Sequence, residues 1–442
     1  MNPQIRNIPK PTYKRIIIVG GGFAGLKLAR KLANTKYQVL MIDKNNYHQF
    51  QPLFYQVATA GLEPSAISFP FRRVFQDKKN VHFRIARLQD VDQDQKLIKT
   101  DIGELSYNYL LICTGADTNY FGLKNIEQNA LAMKSTGEAL TIRNTILGNY
   151  EKALNTDDKI EEEALLNIVI VGGGPTGVEL AGAIAEMKKY VLPKDYPELD
   201  FNLMKIYLFE AGPRILSSMS EYASEKSFNY LENLNVIVRT NTSVKDFDGA
   251  TVHLENETIS SKTLLWAAGI SSKRIHGLPT SIYSHGNRIK VDRYNHVEGL
   301  DGIFAFGDVA YMEEENYPNG HPQVAQVALQ QAANFVRNLK HIESNQTPNK
   351  FKYKDLGSLA TIGRHLAVAD FPFMHLKGFI AWLLWLFIHL VSILGVKNRV
   401  MIFINWSWNY LTYDQTLRLL LKPKPKVKDR KKQIDLNMSG NN

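Results

Sequence analysis

The sequence has almost no cysteine, since Cys113 is the single one in 442 residues. One thiol cannot form an intrachain disulfide, a Cys-x-x-Cys redox pair or a cysteine-held iron–sulfur cluster. Cys113 lies within the apolar stretch LLICTG, where we expect a buried structural thiol rather than a reactive one. Any redox chemistry of this chain must therefore use a group other than a cysteine pair. No metal site is expected.

An excess of acidic charge is also lacking, because the net charge is +10. The segment KPKPKVKDRKKQ (422–433) holds seven basic residues and one acid, and the rest of the chain is near neutrality. This distribution does not suit a nucleic-acid-binding domain. A compact basic tail behind an apolar stretch favours an anionic membrane surface, with a merely solvated tail as the alternative.

Long apolar runs are absent before Pro372. Residues 1–14 are polar and lead directly into a strand, so no signal peptide is expected. Beyond Pro372, GFIAWLLWLFIHLVSILGV (378–396) is nearly all apolar and VMIFINWSWNYL (400–411) continues in kind. Nineteen apolar residues at 378–396 meet the length criterion for a spanning helix. Neither segment has the row of Asp, Glu or Lys that a proton path through a membrane needs, so a proton pump is not expected.

The chain contains two strand–glycine turn–helix–strand units about 150 residues apart, at 15–43 and 167–210. Each is a βαβ unit of the dinucleotide-binding type, so the sequence predicts an α/β protein with two Rossmann-like domains. DGIFAFGDVA (301–310) is interpreted as a strand that returns to the first unit. We predict an FAD-binding domain at 1–120 and 285–365, an NADH-binding domain at 121–284 and a C-terminal region at 366–442.

The glycine turns carry the binding prediction. Gly20, Gly22 and Gly25 fit G-x-G-x-x-G, and Asp43 ends the next strand at the spacing for a ribose hydroxyl. Phosphates are expected at the N-terminus of the helix that follows.

The second turn repeats the pattern with Gly172, Gly174 and Gly177, and Glu210 ends its next strand. An acid there accepts from a free 2′-hydroxyl and repels a 2′-phosphate, so we predict NADH rather than NADPH. Two dinucleotide sites indicate a resident flavin and a visiting nicotinamide.

On these residues the chain resembles the type II, non-proton-pumping NADH:quinone oxidoreductases, which are two-dinucleotide-binding-domain flavoproteins with a glutathione-reductase-like fold. The resemblance runs from Arg15 to about Leu420. It rests on the following motifs: VGGGFAGL, YHQFQPLFYQVATAGLEP (47–64), VGGGPTGVELAGAIAE, AFGDVA, AQVALQQA (325–332) and WLFIHL…VKNR (385–399). Related branches keep redox cysteines in 47–64, and this chain has none there. A dithiol reductase is therefore excluded and a sulfide:quinone oxidoreductase is disfavoured.

The resemblance implies non-covalent FAD, with NADH as the substrate. The expected FAD contacts are Gly20, Gly21, Gly22, Phe23, Ala24, Gly25, Asp43, Lys44, Leu88, Gly115, Asp308, Ala325, Gln326 and Lys397. The expected NADH contacts are Gly172, Gly174, Gly177, Glu210, Ala268 and Gly269. A helix starting near Ala325 would point its positive end at the flavin. His48 is placed near the flavin or in simple packing, with neither reading favoured.

The resemblance also suggests the quinone site and the catalytic acid. Gln326 and Gln330 lie four residues apart and so share one helix face, which in this family borders the quinone pocket. Family members often have a small residue or proline where this chain has Gln323, so we expect a different pocket entrance. Glu179, just after the second glycine turn, is predicted to orient the nicotinamide or relay protons to the reduced quinone. First-turn stabilisation of the helix dipole is the alternative.

The expected enzyme is thus a respiratory NADH:quinone oxidoreductase on the cytoplasmic face of a bacterial inner membrane. The family implies monotopic C-terminal helices with Trp382, Trp385, Trp406 and Trp408 at the interface, rather than a single span. A homodimer is one candidate assembly. The alternatives are an NADH-dependent reductase of a rubredoxin or ferredoxin, which has no use for the apolar C-terminus, and a non-enzymatic NADH-responsive membrane protein.

Overall fold

The computed structural model describes residues 4–412 and 417–421. The basic tail 422–433 lies outside the described residues. The helices are α1 (Phe23–Leu32), α2 (Phe54–Ala58), α3 (Phe71–Val74), α4 (Lys124–Asn129), α5 (Thr136–Ala153), α6 (Lys159–Leu166), α7 (Pro175–Tyr190), α8 (Leu192–Asp195), α9 (Glu221–Asn233), α10 (Ala325–Glu343), α11 (Gly378–Ser392) and α12 (Val396–Thr412).

The strands are mostly short. They are β1 (Arg15–Val19), β2 (Gln38–Asp43), β3 (Tyr47–Gln49), β4 (Ser68–Pro70), β5 (Val81–Ile85), β6 (Leu88–Asp92), β7 (Leu97–Thr100), β8 (Gly103–Ser106), β9 (Tyr109–Ile112), β10 (Asp117–Thr118), β11 (Leu131–Ala132), β12 (Ile168–Val171), β13 (Ile206–Phe209), β14 (Val236–Arg239), β15 (Asp246–Phe247), β16 (Thr251–His253), β17 (Thr258–Ser260), β18 (Thr263–Trp266), β19 (Ile270–Ser271), β20 (Ile289–Lys290), β21 (Ile303–Ala305), β22 (Ala310–Tyr311), β23 (Ser358–Gly363), β24 (Leu366–Phe371) and β25 (Met374–Lys377).

Two five-stranded parallel sheets form the cores of the two units. The first has the order β21-β9-β1-β2-β5 and the second the order β11-β18-β12-β13-β14. Their central strands, β1 (RIIIV) and β12 (IVIV), are buried along their whole length. Strands buried on both faces are expected to be continuously apolar rather than alternating. The predicted α/β class with two Rossmann-like units is confirmed.

The chain returns to the first unit after it has completed the second. Strand β21, from the predicted segment DGIFAFGDVA, pairs in parallel with β9 at the edge of the first sheet. Helix α10 then packs on α1. Two-residue strands, β10 and β19, pair where the chain passes between the units. The domain limits near 121, 285 and 366 stay a prediction, and 366 falls between the paired strands β23 and β24.

The C-terminal part is a three-stranded antiparallel sheet, β23-β24-β25, followed by α11 and α12. Strand β23 packs on α7 at a glycine, Gly182, where a Cβ atom would overlap the carbonyl oxygen of Ile362. Only a residue without a side chain allows this close approach. The sheet is therefore held against the helix that carries Glu179.

The apolar stretch 378–396 is not one helix. Helix α11 ends at Ser392 after 15 residues, and α12 starts at Val396 beyond a turn. Within the part of the chain that the structure describes, no helix is long and apolar enough to cross a membrane. The stretch 378–396 is thus divided between two helices by the non-helical residues 393–395.

Candidate active site

The first glycine turn forms an open cradle at the start of α1. Gly20 has φ +99°, a backbone conformation that favours glycine. A Cβ on Gly25 would overlap the Gly20 carbonyl oxygen, whereas a Cβ on Gly22 would meet nothing within 4 Å. The α1 N-terminus has neither a side-chain cap nor an acid in its first turn. This leaves free amides and open space suited to the pyrophosphate of a dinucleotide.

Asp43 ends β2 directly beneath this turn. The Gly21 amide donates to Asp43 Oδ2 at 2.6 Å, and the Asn45 amide donates to Oδ1 at 2.7 Å. Burial raises the pKa of Asp43, and these two hydrogen bonds oppose the rise. Lys44 follows it, and Leu88 starts β6 just after Ala86, whose amide donates to the Asp43 carbonyl. The acid is thus fixed at the edge of the cradle.

The second turn reproduces this geometry closely. Gly172 has φ +108°, and a Cβ on Gly177 would overlap the Gly172 carbonyl oxygen. A Cβ on Gly174 would meet nothing within 4 Å. The Gly173 amide donates to Glu210 Oε2 at 2.7 Å, and the Gly212 amide donates to Oε1 at the same distance. The two halves of the chain therefore offer two cradles of one design.

Loops that link the two units lie beside the cradles. The Asn119 amide donates to the Gly269 carbonyl at 3.1 Å, next to Ala268. Ser272 Oγ donates to the Gly115 carbonyl at 3.2 Å. Gly115 (φ +68°) and Gly269 (φ +133°) both have left-handed backbone conformations. These contacts join the predicted FAD and NADH residues of the two units.

Asp308 lies beside the N-terminus of α10. Burial raises its pKa, against the opposing charges of Lys134 and Arg288. Gln323 donates to the Asp308 carbonyl at 2.9 Å, which gives this departure from the family pattern a structural role. Helix α10 begins at Ala325, as predicted, without a side-chain cap.

Gln326 and Gln330 hydrogen-bond to the backbone of the segment 354–357. Gln326 donates to the Gly357 carbonyl at 3.1 Å and accepts from the Leu356 amide at 3.3 Å. Gln330 donates to the Lys354 carbonyl at 2.8 Å and accepts from its amide at 3.0 Å. Both amides thus hold the segment that leads into β23. Lys397 is exposed in the first turn of α12, next to Asn398, which donates to the Ser65 and Ala66 carbonyls.

Glu179 lies in a cavity of about 150 Å³ between α2, α7, β23 and the C-terminal helices. Its side chain is buried, and its nearest hydrogen-bond donor is the Thr361 amide at 3.5 Å. Burial raises the pKa of Glu179 to about 8, while Thr361 and the Trp385 indole oppose the rise. Within the described residues, Trp385 Nε1 has no partner in hydrogen-bond geometry. The cavity therefore holds an acid that is largely protonated at neutral pH.

The cavity combines polar groups with aromatic rings. Gln56 Nε2 donates to the Tyr55 hydroxyl at 2.8 Å and accepts at Oε1 from Trp406 Nε1, also at 2.8 Å. The Trp385 ring lies 5.9 Å from Trp406 and 6.3 Å from Tyr55. Such a lining suits a flat, mostly apolar ligand with polar atoms at its edge.

A layer of aromatic rings leads from the first glycine turn to this cavity. His48 Nδ1 lies 3.0 Å from the Gly21 carbonyl oxygen, and its ring contacts Phe23. The layer continues through Phe50 to His389, whose ring stacks on Trp385 at 4.0 Å. Burial lowers the pKa of His389 to about 4, so this residue is neutral and faces the interior.

Several cavity residues had no predicted role, namely Tyr55, Gln56, Thr361 and Glu186. The first two lie in the segment YHQFQPLFYQVATAGLEP, which served as a family motif and was noted for its missing cysteines, but no residue of it other than His48 was considered for the site. The position of Glu186 could have been predicted from the sequence, because it lies seven residues after Glu179 and so shares its helix face. Thr361 contributes a backbone amide, which sequence patterns do not reveal.

Comparison with known proteins gives consistent matches along most of the chain. The pyridine nucleotide-disulphide oxidoreductase family model matches residues 14–332, and the NDH2 C-terminal domain matches residues 356–413. The type II NADH:quinone oxidoreductase Ndh of Mycobacterium tuberculosis is 31% identical, covering 93% of this chain and 91% of that protein. The type II NADH:quinone oxidoreductase of Staphylococcus saprophyticus is 27% identical, with 80% and 88% covered.

Solved structures show the same fold. NDH2 from Plasmodium falciparum in complex with NADH superposes with a TM-score of 0.86 at 25% identity, covering 92% of this chain and 100% of that one. The sulfide:quinone oxidoreductase of Aquifex aeolicus gives a TM-score of 0.69 at 17% identity, with 96% of each chain covered, and shares the fold.

Proposed function

This chain belongs to the type II NADH:quinone oxidoreductases, and on that premise we propose that it holds FAD non-covalently on its first glycine turn and receives NADH on its second. It is an enzyme that oxidises NADH and reduces a quinone. The proposed assignment of the two turns is supported by the return of β21 and α10 to the first unit. This return places Asp308 and the α10 N-terminus on the side of the first cradle.

When bound, FAD would supply the acceptor for the hydride of NADH and the source of the two electrons for the quinone. The residues of this chain supply position and charge. The free amides at the start of α1 hold the pyrophosphate, and Asp43 accepts from the ribose. Gly115, Asp308 and the N-terminal turn at Ala325 line the remainder of the flavin site. Leu88, Lys44 and Lys397 complete the proposed set.

The second cradle selects NADH over NADPH. The Glu210 carboxylate is held by two backbone amides at the end of β13, where a ribose 2′-hydroxyl can donate to it. A 2′-phosphate would bring like charges together. Ala268 and Gly269 border the same site from the loop after β18.

We place the quinone headgroup in the cavity that Glu179 shares with Tyr55, Gln56, Trp385 and Trp406. The single observation that carries this proposal is that one cavity joins the helix of the second glycine turn to the C-terminal helices. Gln326 and Gln330 act on this site through the segment 354–357, which they hold against α10. A direct amide bond to a quinone carbonyl would require them to release that segment.

Glu179 holds a proton at its carboxyl and gives it to the reduced quinone oxygen. An acid with a pKa near the working pH is the most effective donor of this kind. Glu179 is the fifth residue of α7, whose first turn contains no acid, so the alternative of first-turn stabilisation of the helix dipole is wrong.

The C-terminal helices bind one leaflet of a membrane. Helix α11 turns Ala381 and Trp385 inward, while Ile380, Phe387 and Val391 are more than half exposed. Helix α12 likewise exposes Phe403, Ile404 and Leu411. Exposed apolar residues on both helices suit an interfacial anchor. The proposed location is the cytoplasmic face of a bacterial inner membrane, and a homodimer is the proposed assembly.

No proton pumping is proposed, since α11 and α12 contain no Asp or Glu. A reductase of a protein acceptor such as a rubredoxin is the alternative function. The apolar faces of α11 and α12 favour the quinone instead, because a soluble acceptor has no need of them.

The test is direct. The protein is purified from membranes, its bound flavin is identified by absorbance and mass, and NADH oxidation is assayed with ubiquinone, menaquinone and rubredoxin. Turnover with a quinone, together with identification of the bound flavin as FAD, would support the proposal. Turnover with rubredoxin alone would favour the protein-acceptor reductase.

A further inference from the structure

Two carboxyl groups, those of Glu179 and Glu186, line the same cavity from α7. They are seven residues apart, which places them on one helix face about 10 Å from each other along the axis. Ala183 lies between them and also lines the cavity. A small residue there leaves the space between the two acids open.

Both carboxyl groups are held against β23 and the turn that follows it. The Thr361 amide faces Glu179, and the Arg364 amide donates to Glu186 Oε1. A Cβ on Gly363 would lie 3.0 Å from Glu186 Oε1, so the glycine makes room for this acid. The strand thus carries one amide partner for each acid, three residues apart.

The two acids differ in access to water. Glu179 is 9% exposed and lies near Trp385, whereas Glu186 is half-buried and lies one turn before the exposed Lys189. The cavity of about 150 Å³ between them has room for several water molecules. The Tyr55 hydroxyl and Thr59 add polar atoms to its wall. A chain of waters can therefore connect a partly exposed acid with a buried one.

The reaction requires a proton from water. In the balance NADH + H⁺ + quinone → NAD⁺ + quinol, NADH supplies two electrons and one hydrogen as hydride. The second hydrogen of the quinol comes from solvent, so one proton enters the site in each turnover. Glu179 is buried, so a proton from solvent needs a path to it.

The charges around Glu186 suit the exchange of a proton with solvent near neutral pH. Burial raises the pKa of Glu186 to about 7, while the Arg364 amide, the Arg364 guanidinium and Lys189 oppose the rise. The Tyr55 hydroxyl faces both acids from α2, and the pKa of this tyrosine is raised well above its ordinary value by burial. Tyr55 therefore stays protonated, and Glu186 and Glu179 are the two groups that exchange protons here.

We propose that Glu186 is the outer member of a two-carboxyl proton relay, taking a proton from solvent and passing it through cavity water to Glu179. This relay rests on the proposed function, because Glu179 must be the donor to the reduced quinone. Glu186 is a positioning residue for the proton and touches neither substrate. The competing role is structural: Glu186 accepts from the Arg364 amide and fixes the turn after β23.

Glu186→Gln separates the two roles, because the glutamine carbonyl still accepts from the Arg364 amide but carries no transferable proton. The holoenzyme is studied by stopped-flow absorbance in two steps, bleaching of the flavin by NADH and its recovery with a short-chain quinone. We expect unchanged bleaching and a recovery slowed roughly tenfold to a hundredfold. The solvent isotope effect on recovery should rise, and a small weak acid such as formic acid should restore part of the rate.

The matched control is Glu163→Gln, a half-exposed acid on α6 that is paired with Lys205 at the surface. It should leave both steps unchanged. Thermal melting shows that the variants are folded, and the infrared spectrum should lose a protonated-carboxyl band in Glu186→Gln. Recovery within twofold of the parent at every pH, without acid rescue, would overturn the relay. A parent enzyme whose flavin no quinone can reoxidise would instead overturn the proposed function.

Discussion

The carboxyl of Glu179 lies 3.5 Å from the backbone amide of Thr361, so the helix of the second glycine turn contacts the C-terminal sheet at the buried acid itself. Gly182 makes this contact possible, because a side chain there would strike the Ile362 carbonyl. The acid is consequently enclosed by the part of the chain that also carries the apolar helices. Its chemistry and the membrane-facing surface are therefore parts of one assembly.

Glu179→Gln is expected to slow quinone reduction by roughly a hundredfold while flavin remains bound. The amide keeps the size of the side chain but cannot give up a proton. Steady-state NADH oxidation with a short-chain quinone measures the effect, and flavin content is read from absorbance. Glu163→Gln serves as the surface control. Unchanged turnover in Glu179→Gln would show that the acid gives no proton to the reduced quinone.

The preference for NADH over NADPH tests the role proposed for Glu210. The parent should show a higher kcat/KM with NADH than with NADPH, and Glu210→Gln should narrow this ratio roughly tenfold, since a charged hydrogen-bond acceptor is lost. Glu257→Gln, an exposed acid paired with Arg239 in the same unit, is the control. Equal kcat/KM values for the two cofactors in the parent would contradict the assignment.

Substitutions in the two glycine turns should impair the binding of different dinucleotides. Gly25→Ala should reduce flavin content, whereas Gly177→Ala should raise the KM for NADH or weaken the second unit while flavin is retained. Each added methyl group would overlap the carbonyl oxygen of the first glycine in its own turn. Gly148→Ala, in helix α5 with nothing within 4 Å of its Cβ position, should be neutral or stabilising. If Gly177→Ala lost its flavin and Gly25→Ala retained it, the assignment of the two turns would be reversed.

Much of the architecture was predictable from local patterns. The glycine spacings and the acids Asp43 and Glu210 follow directly from the sequence, because turn, helix start and strand end lie close together in the chain. The cavity was not predictable, because it depends on a strand 180 residues away packing onto Gly182. The apolar stretch 378–396 looked continuous, and its division into two helices depends on a turn at residues 393–395. Gln326 and Gln330 were predicted to share one helix face that borders the quinone pocket, but their backbone partners at 354–357 were not foreseen.

Membrane binding should depend on the exposed apolar faces. Phe387 is 64% exposed and Phe403 is 58% exposed, so replacing both with serine removes apolar contact without opening the core. We expect weaker sedimentation with anionic vesicles and lower activity with long-tailed quinones, while a short quinone is still reduced. Ile160→Ser, at a residue 73% exposed on α6, is the control. Undiminished vesicle binding would contradict the anchor.

The raised pKa of Glu179 also predicts a pH dependence of stability. The folded state binds this proton up to a pH of about 8, whereas the unfolded chain releases it near 4.5, so the contribution of the group to stability falls as the pH rises between these values. Glu179→Gln has no titrating group at this position, so it does not lose stability in this way. The Tm of the variant minus the Tm of the parent should therefore increase from pH 5 to pH 8. The Tm of Glu163→Gln should change with pH in the same way as the Tm of the parent. Parallel curves for Glu179→Gln would show that the acid is not buried as described.

The most direct test of the whole account is a sequential-mixing experiment on the purified holoenzyme. NADH is mixed first and the flavin absorbance is followed, and a quinone is then added without oxygen. The account predicts that NADH bleaches the flavin and that the quinone restores it at a rate able to support turnover. A bleached flavin that rubredoxin restores and quinone does not would contradict it.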